Sequence, residues 1–282
     1  VAEAERDCGT GFVYDTSAGE NECDGNTCFI NIGGVDHSTC CKAKCSSLAE
    51  AERDCGTGFV YDTSAGENEC DGNTCFINIG GVDHSTCCKA KCSSLAEAER
   101  DCGTGFVYDT SAGENECDGN TCFINIGGAD HSTCCKAKCS SVAEAERDCG
   151  TGFVYDTSAG ENECDGNTCF INIGGADHST CCKAKCSSVA EAERDCGTGF
   201  VYDTSAGENE CDGNTCFINI GGADHSTCCK ATCATVTECE GNFVVNEVAA
   251  ANDTPCSGPE CDTSVVGSGD HSTCCVAQAT CG

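Results

Sequence analysis

Apolar residues in this chain come in short clusters separated by polar loops. The first cluster is G-F-V-Y-D, Gly11 to Asp15, whose aromatic and β-branched residues predict a strand. The second is C-F-I-N-I-G-G, Cys28 to Gly34. Phe29 and Asn31 alternate there with Cys28, Ile30 and Ile32, which predicts a second strand ended by Gly33 and Gly34. The intervening T-S-A-G-E-N-E-C-D-G-N-T is a turn-rich polar loop. After it comes D-H-S-T-C-C, in which Asp36 is placed to cap the N-terminus of a helix over His37 to Cys45. Lys42 and Lys44 suit the negative end of that helix dipole. Cys41 and Cys45, four apart, share one face, while Cys40 points elsewhere. Ser47 and Glu50 form an S-x-x-E capping box, which predicts a short, stiff helix in the linker S-S-L-A-E-A-E-R-D-C. The candidate core of this unit is Phe12, Val13, Tyr14, Phe29, Ile30, Ile32 and Val35.

The pattern repeats. Cys8 recurs as Cys55, Cys102, Cys149 and Cys196, a period of 47 residues, and D-H-S-T-C-C is written six times. Five copies are nearly identical, with conservative apolar swaps such as Leu48 to Val142 and Val35 to Ala129. The sixth keeps its cysteines and D-H-S-T-C-C and has diverged almost everywhere else. The repeats are assigned to 1–46, 47–93, 94–140, 141–187, 188–234 and a divergent 235–282. Because Val1 to Arg6 matches the inter-repeat linker, the chain is expected to start within the array, as a processed mature protein or part of a longer one. The expected fold is a tandem linear array of small disulfide-rich α+β modules, each a short β-hairpin and a short helix held by three disulfides.

Cysteine composition changes the picture most. There are 36 cysteines in 282 residues, above the roughly 8–10% that marks a disulfide scaffold. Such usage belongs to an oxidising compartment and predicts an extracellular or cell-surface location. Three bridges of about 2–4 kcal/mol each would contribute roughly 6–12 kcal/mol, comparable with the whole stability of a small domain. The unit reads C-x14-C-x4-C-x11-CC-x3-C, namely Cys8, Cys23, Cys28, Cys40, Cys41 and Cys45. The sixth reads C-x16-C-x4-C-x12-CC-x5-C, through Cys239, Cys256, Cys261, Cys274, Cys275 and Cys281. Six cysteines allow 15 pairings, and spacing does not choose among the twelve that avoid a vicinal bond. The working expectation is Cys8–Cys40, Cys23–Cys41 and Cys28–Cys45, with every thiol consumed. A shifted, knottin-like frame from Cys23 to Cys55 would leave Cys8 and Cys281 free to bond between molecules.

Charge narrows the partners. The net charge of −33 repels nucleic acid and anionic membranes. No apolar run approaches the ~20 residues that span a bilayer. Asp36, His37 and Ser38 are triad residue types, but sequence neighbours cannot adopt triad geometry, and no enzymatic activity is expected. Cys23, Cys28, Cys40, Cys41, Cys45 and His37 are zinc-ligand types without compact C-x2-C pairs. Asp15, Glu20, Glu22 and Asp24 could offer oxygens to Ca²⁺, although not in EF-hand order. Asn252 opens the sequon Asn252-Asp253-Thr254 ahead of Pro255, and Thr16, Ser17, Ser46 and Ser47 are candidate O-glycan positions.

V-D-H-S-T-C-C resembles the D-x-x-x-C-C element of granulin-type modules, which carry several vicinal pairs where this unit has one. The helical C-x3-C is similar to that of the cysteine-stabilised α/β motif, whose partnering C-x-C is missing here. As a whole the chain resembles the cysteine-rich tandem-repeat surface and filament proteins of protists such as algae, and this resemblance implies a structural, extracellular role. The expected function is therefore a self-associating protomer of an extracellular filament, with the sixth repeat's Phe243, Val244, Val245, Val248, Val265 and Val266 as a docking face. The alternative is a secreted multivalent binder, such as an adhesin, lectin-like or protease-inhibitor array, gaining avidity from its copies.

Overall fold

A computed structural model of the 282-residue chain describes residues 5–278. It comprises two compact units, Val1–Lys136 and Ala137–Gly282. Each is built from the same small module of two short antiparallel strands and a short helix.

In the first unit, β1 (Phe12–Tyr14) pairs with β2 (Cys41–Ala43), with Phe12 opposite Ala43 and Tyr14 opposite Cys41. In the second module β3 (Phe59–Tyr61) pairs with β4 (Cys88–Ala90) in the same register. The third module contributes β5 (Phe106–Tyr108) and β6 (Cys135–Ala137). In the second unit β7 (Phe153–Tyr155) pairs with β8 (Cys182–Ala184). There β9 (Phe200–Tyr202) pairs with β10 (Cys229–Ala231), and β11 (Phe243–Val245) with β12 (Cys275–Ala277). The G-F-V-Y-D strand thus forms in five copies, and its counterpart Phe243–Val245 in the sixth.

Its partner is not the one expected. Cys28 to Gly34 forms no strand; it folds into a loop in which Gly34 N donates to Asn31 O at 2.7 Å and Asp36 N to Phe29 O at 3.1 Å. A Cβ on Gly34 would lie 2.2 Å from Phe29 O, so only glycine closes this turn. Phe29, Ile32 and Val35 accordingly stand exposed, with Ile30 alone of that cluster in the core. The alternation in C-F-I-N-I-G-G reflects a loop with one inward residue.

The expected helix over His37 to Cys45 stops after one turn, as α1 (His37–Cys40). Cys41 is already extended, and the chain runs on as β2. Backbone bonding explains the switch. Lys44 N donates to Gly11 O on one edge of this segment, while the amides of Ala43 and Cys45 are satisfied by the next module on the other edge. A continued helix would forgo both sets of bonds. The linker is likewise not one helix. It makes two 3₁₀ turns, Cys45–Ser47 and Glu50–Glu52, and Glu52 rather than Glu50 reaches back to a linker amide, accepting from Ala49 N at 3.1 Å. Ser47 Oγ instead lies 3.9 Å from Cys75 Sγ of the next module.

The core is mostly sulfur and alanine. Cys45, Cys87, Cys92 and Cys134 and Ala43, Ala90, Ala137 and Ala184 are all fully buried. Linker residues Leu48, Leu95, Val142 and Val189 complete it, and Phe12, Phe59 and Tyr61 pack against it from the strands. Arg53 is held over the Tyr61 ring at 4.7 Å and donates through Nε to Leu48 O, which fastens the linker to the module that follows.

Candidate functional site

The site that recurs is the joint between successive modules. The residues after β2 lie beside the polar loop of the next module as an added antiparallel strand. Ala43 N donates to Gly72 O at 2.8 Å and Cys70 N to Ala43 O at 2.8 Å. Cys45 N donates to Asn68 O and Ser46 N to Gly66 O, both at 3.0 Å, with Lys44 opposite Glu69. Each module therefore covers the open edge of its predecessor's strand, the edge that would otherwise recruit foreign chains.

The strand is then fastened by sulfur. Cys45 bonds Cys87 of the next module, with Cα atoms 5.6 Å apart. The same joint recurs as Cys92–Cys134, Cys139–Cys181, Cys186–Cys228 and Cys233–Cys274. Within a module, Cys8 bonds Cys41, and Cys23 bonds Cys28. This overturns the expected Cys8–Cys40, Cys23–Cys41 and Cys28–Cys45 set. All three of those bonds lay inside one module, whereas one of the actual three crosses to the next. In the sixth copy Cys239 bonds Cys275 and Cys256 bonds Cys261. Cys281 lies outside the described residues. Cys40 is free and buried, contrary to the expectation that every thiol is consumed.

Each letter of D-H-S-T-C-C that points inward has a task. Asp36, 2% exposed, does not cap its own helix. Its carboxylate accepts from Asp24 N at 2.7 Å and Phe29 N at 2.8 Å, which pins both ends of the small loop closed by Cys23–Cys28. Two charge-assisted bonds are what allow a buried carboxylate at this position. His37 stands edge-on to Phe12, ring centroids 4.5 Å apart. Its Nε2 lies 3.2 Å from Cys8 O and its Nδ1 3.1 Å from the Asn73 side-chain amide of the next module. An amide nitrogen only donates, so Nδ1 accepts, and Nε2 carries the proton that it donates to Cys8 O. Asn73 also donates to Cys41 O at 3.0 Å. His84 with Asn120 and His178 with Asn214 repeat the arrangement. Of the two vicinal cysteines, the second closes its own module and the first receives the previous one.

The last internal joint differs. Thr232 replaces the lysine of the other copies and is fully buried, donating through Oγ1 to Gly199 O at 3.1 Å. Pro259 stands where the other modules have the asparagine that reaches histidine. In that module His271 Nε2 is buried without a hydrogen-bond partner.

The remaining sequence-derived candidates fall elsewhere. Asp15 caps the turn after β1, accepting from Ser17 N at 2.8 Å and pairing with Lys42 at 3.5 Å. The Ser17 hydroxyl, with Lys42 nearby, holds its carboxyl below the usual carboxylate range. Asp15 is thus engaged by a cation of its own module, while Glu22 and Asp24 are exposed in the following loop. The Glu20 side chain is not among the described groups. Among the described residues, the places where three metal-ligand atoms converge are the cysteine trios at the joints, such as Cys45, Cys70 and Cys87. Their sulfurs are tied up in the Cys45–Cys87 and Cys70–Cys75 bridges, and a metal binds thiolates. Asn252 is exposed at the end of the helix Glu247–Ala251.

Comparison with protein-family models, with curated protein sequences and with solved structures gave no match. Sequence reasoning missed the joint because it sought all pairings inside one module. The available signal was the fixed nine-residue linker, too short to separate two independent domains.

Proposed function

We propose that the chain is a structural, non-enzymatic protein of the extracellular space, a tension-bearing protomer of a filament or surface appendage. One observation carries this reading, the covalent spine formed by the joints. Each module is tied to the next by the peptide chain and again by a disulfide that bypasses 42 residues of the 47-residue period. A pull along the chain runs from Cys45 across to Cys87, through Cys88 to Cys92, and across to Cys134. The modules hang outside that path and need not unfold to hold the load. Binding modules joined for avidity work best on linkers that let them reach separate targets, which these joints do not provide. Exposed Phe29 and Ile32, repeated as Phe76 and Ile79 in the next module, favour the multivalent binder as the second reading.

No helix among the described residues is long and apolar enough to cross a membrane, and the bridges suit an oxidising exterior. With a net charge of −33, side-by-side packing needs counterions, and we assign that role to Ca²⁺ held by exposed carboxylates. Electron microscopy of the native material tests the filament reading. Regular fibres are expected, and dispersed single chains that bind a glycan or protease would replace it with the binder. Assembly unchanged by chelator at matched ionic strength would remove Ca²⁺ from it.

A further inference from the structure

Phe29, Phe76, Phe123, Phe170 and Phe217 are 62–64% exposed, and the isoleucines three residues further on are exposed as well. The fold holds them in solvent on a closed loop. In the fifth module, Phe217 N donates to the buried Asp224 carboxylate at 2.7 Å, and Gly222 N to Asn219 O at 2.7 Å. A Cβ on Gly197, whose φ is +83°, would lie 2.7 Å from the Ile220 side chain, so Ile220 rests on bare backbone. An apolar pair fixed in this way is preorganised for contact with another molecule.

At the joint with the fourth module, inside the second compact unit, Phe217 and Ile220 line a groove of about 580 Å³ together with Phe153, Val189 and Glu193. That is within the roughly 300–1,000 Å³ of small-ligand sites. Glu193 is its acidic group. In the linkers that carry leucine, the corresponding Glu52 and Glu99 turn back and accept from Ala49 N and Ala96 N at 3.1 Å. The linker with Val189 lacks that bond among the described residues. Asp195 N donates to Glu193 O at 2.8 Å instead, and Glu193 is exposed. The basic residues of this stretch are already engaged. Lys183 pairs with Asp156 at 3.3 Å and Lys185 with Glu208 at 2.7 Å. Arg194 lies over the Tyr202 ring at 4.5 Å and donates to Val189 O.

We propose that this groove binds a basic peptide segment in which a lysine or arginine stands beside an aromatic residue, with the ring against Phe217 and Ile220 and the cation at Glu193. Charge complementarity selects this occupant. A second copy of the chain is disfavoured by its own net charge of −33, whereas a cation gains both from the Glu193 carboxylate and from the face of an exposed phenylalanine ring. The groove belongs to a single chain, so the site stands whether or not chains assemble into fibres.

The chain contains no tryptophan, so a tryptophan in the probe reports alone. The full-length oxidised chain is titrated into the peptide Lys-Trp-Lys, acetylated and amidated at its ends, while indole emission is followed. Saturable binding with a blue shift is expected, weakening as salt rises. Blocked Glu-Trp-Glu should bind about tenfold more weakly. Glu193→Gln, made together with Glu146→Gln in the neighbouring copy, should weaken Lys-Trp-Lys about threefold. Alanine at all five exposed phenylalanines should abolish the blue shift while the disulfide map stays that of the wild type. Equal binding of the two peptides, an unchanged affinity in the glutamine variant, or a blue shift that survives the five alanines overturns the proposal. Binding of a neutral oligosaccharide without binding of Lys-Trp-Lys overturns it in favour of a sugar site.

Discussion

A buried carboxylate is costly unless its oxygens are filled, and Asp83 shows how this module meets that cost. It is 1% exposed and accepts from Asp71 N at 2.6 Å and Phe76 N at 2.8 Å. Asparagine at this position presents an NH₂ to at least one of those amides, so D83N should destabilise its module by about 2–3 kcal/mol. Faster hydrogen exchange at the Asp71 and Phe76 amides than in the wild type, with Asp118 and Phe123 unchanged, is the expected readout. Asp62 gives the acid limit. Burial alone would raise its pKa, but the Ser64 hydroxyl and amide and Lys89 outweigh that and lower it. A carboxylate whose folded pKa lies below its unfolded value contributes stability above about pH 4, and this is lost as pH falls through the lower folded value. Urea midpoints of the disulfide-intact chain should therefore hold between about pH 5 and 7 and fall below about pH 4. Ser64→Ala should shrink the drop. Equal acid sensitivity in that variant would show that the Asp62 clasp contributes nothing.

At the scale of elements, the joint depends on a small residue. Ala90 is fully buried, with its N and O both paired across the joint to Gly119 O and Cys117 N. A larger side chain there must push the next module's loop away from the strand, at about 1–3 kcal/mol. Ala90→Leu should leave Cys55–Cys88 in place and lower the yield of Cys92–Cys134 on refolding. Disulfide mapping checks this, and an unchanged yield would mean that the sulfurs find each other without the strand. What the sequence showed of these elements follows from how local their causes are. The β1 strand, the repeat, the disulfide-rich α+β class and the tandem order all follow from short-range patterns that nothing contradicts. Cys41 to Cys45 reads as helix because its lysines and its i, i+4 cysteines suit one. It becomes a strand because bonding partners wait on both edges, one of them 23 or more residues further along the chain. Phe29 and Ile32 read as core because they are apolar and alternate, yet the interior beside them is already filled with sulfur. Asp36 reads as a cap because capping is the commonest use of Asp before a helix, whereas its carboxylate serves a loop 7 to 12 residues upstream.

For the whole molecule the spine makes a mechanical prediction that composition alone would not suggest. Between Cys45 and Cys274 the covalent path crosses five bridges and four runs such as Cys87 to Cys92. At about 3.3–3.6 Å per residue, that path pulls out to roughly 100 Å, against roughly 800 Å for the reduced chain over the same residues. A single oxidised chain stretched from its ends should therefore stiffen early and show no stepwise module unfolding between these two cysteines. After reductant it should lengthen by several hundred ångströms. The Cys8–Cys41 and Cys23–Cys28 bridges lie off this path, so replacing Cys70 and Cys75 with serine should leave the oxidised extension unchanged. Replacing Cys92 and Cys134 should lengthen it by only about ten residues, roughly 30 Å at full extension, because Cys102–Cys135 still bypasses the rest of the module. Sawtooth unfolding of the intact oxidised chain, one event per module, would mean that the modules themselves bear the load. The case for a tension-bearing spine would then be lost.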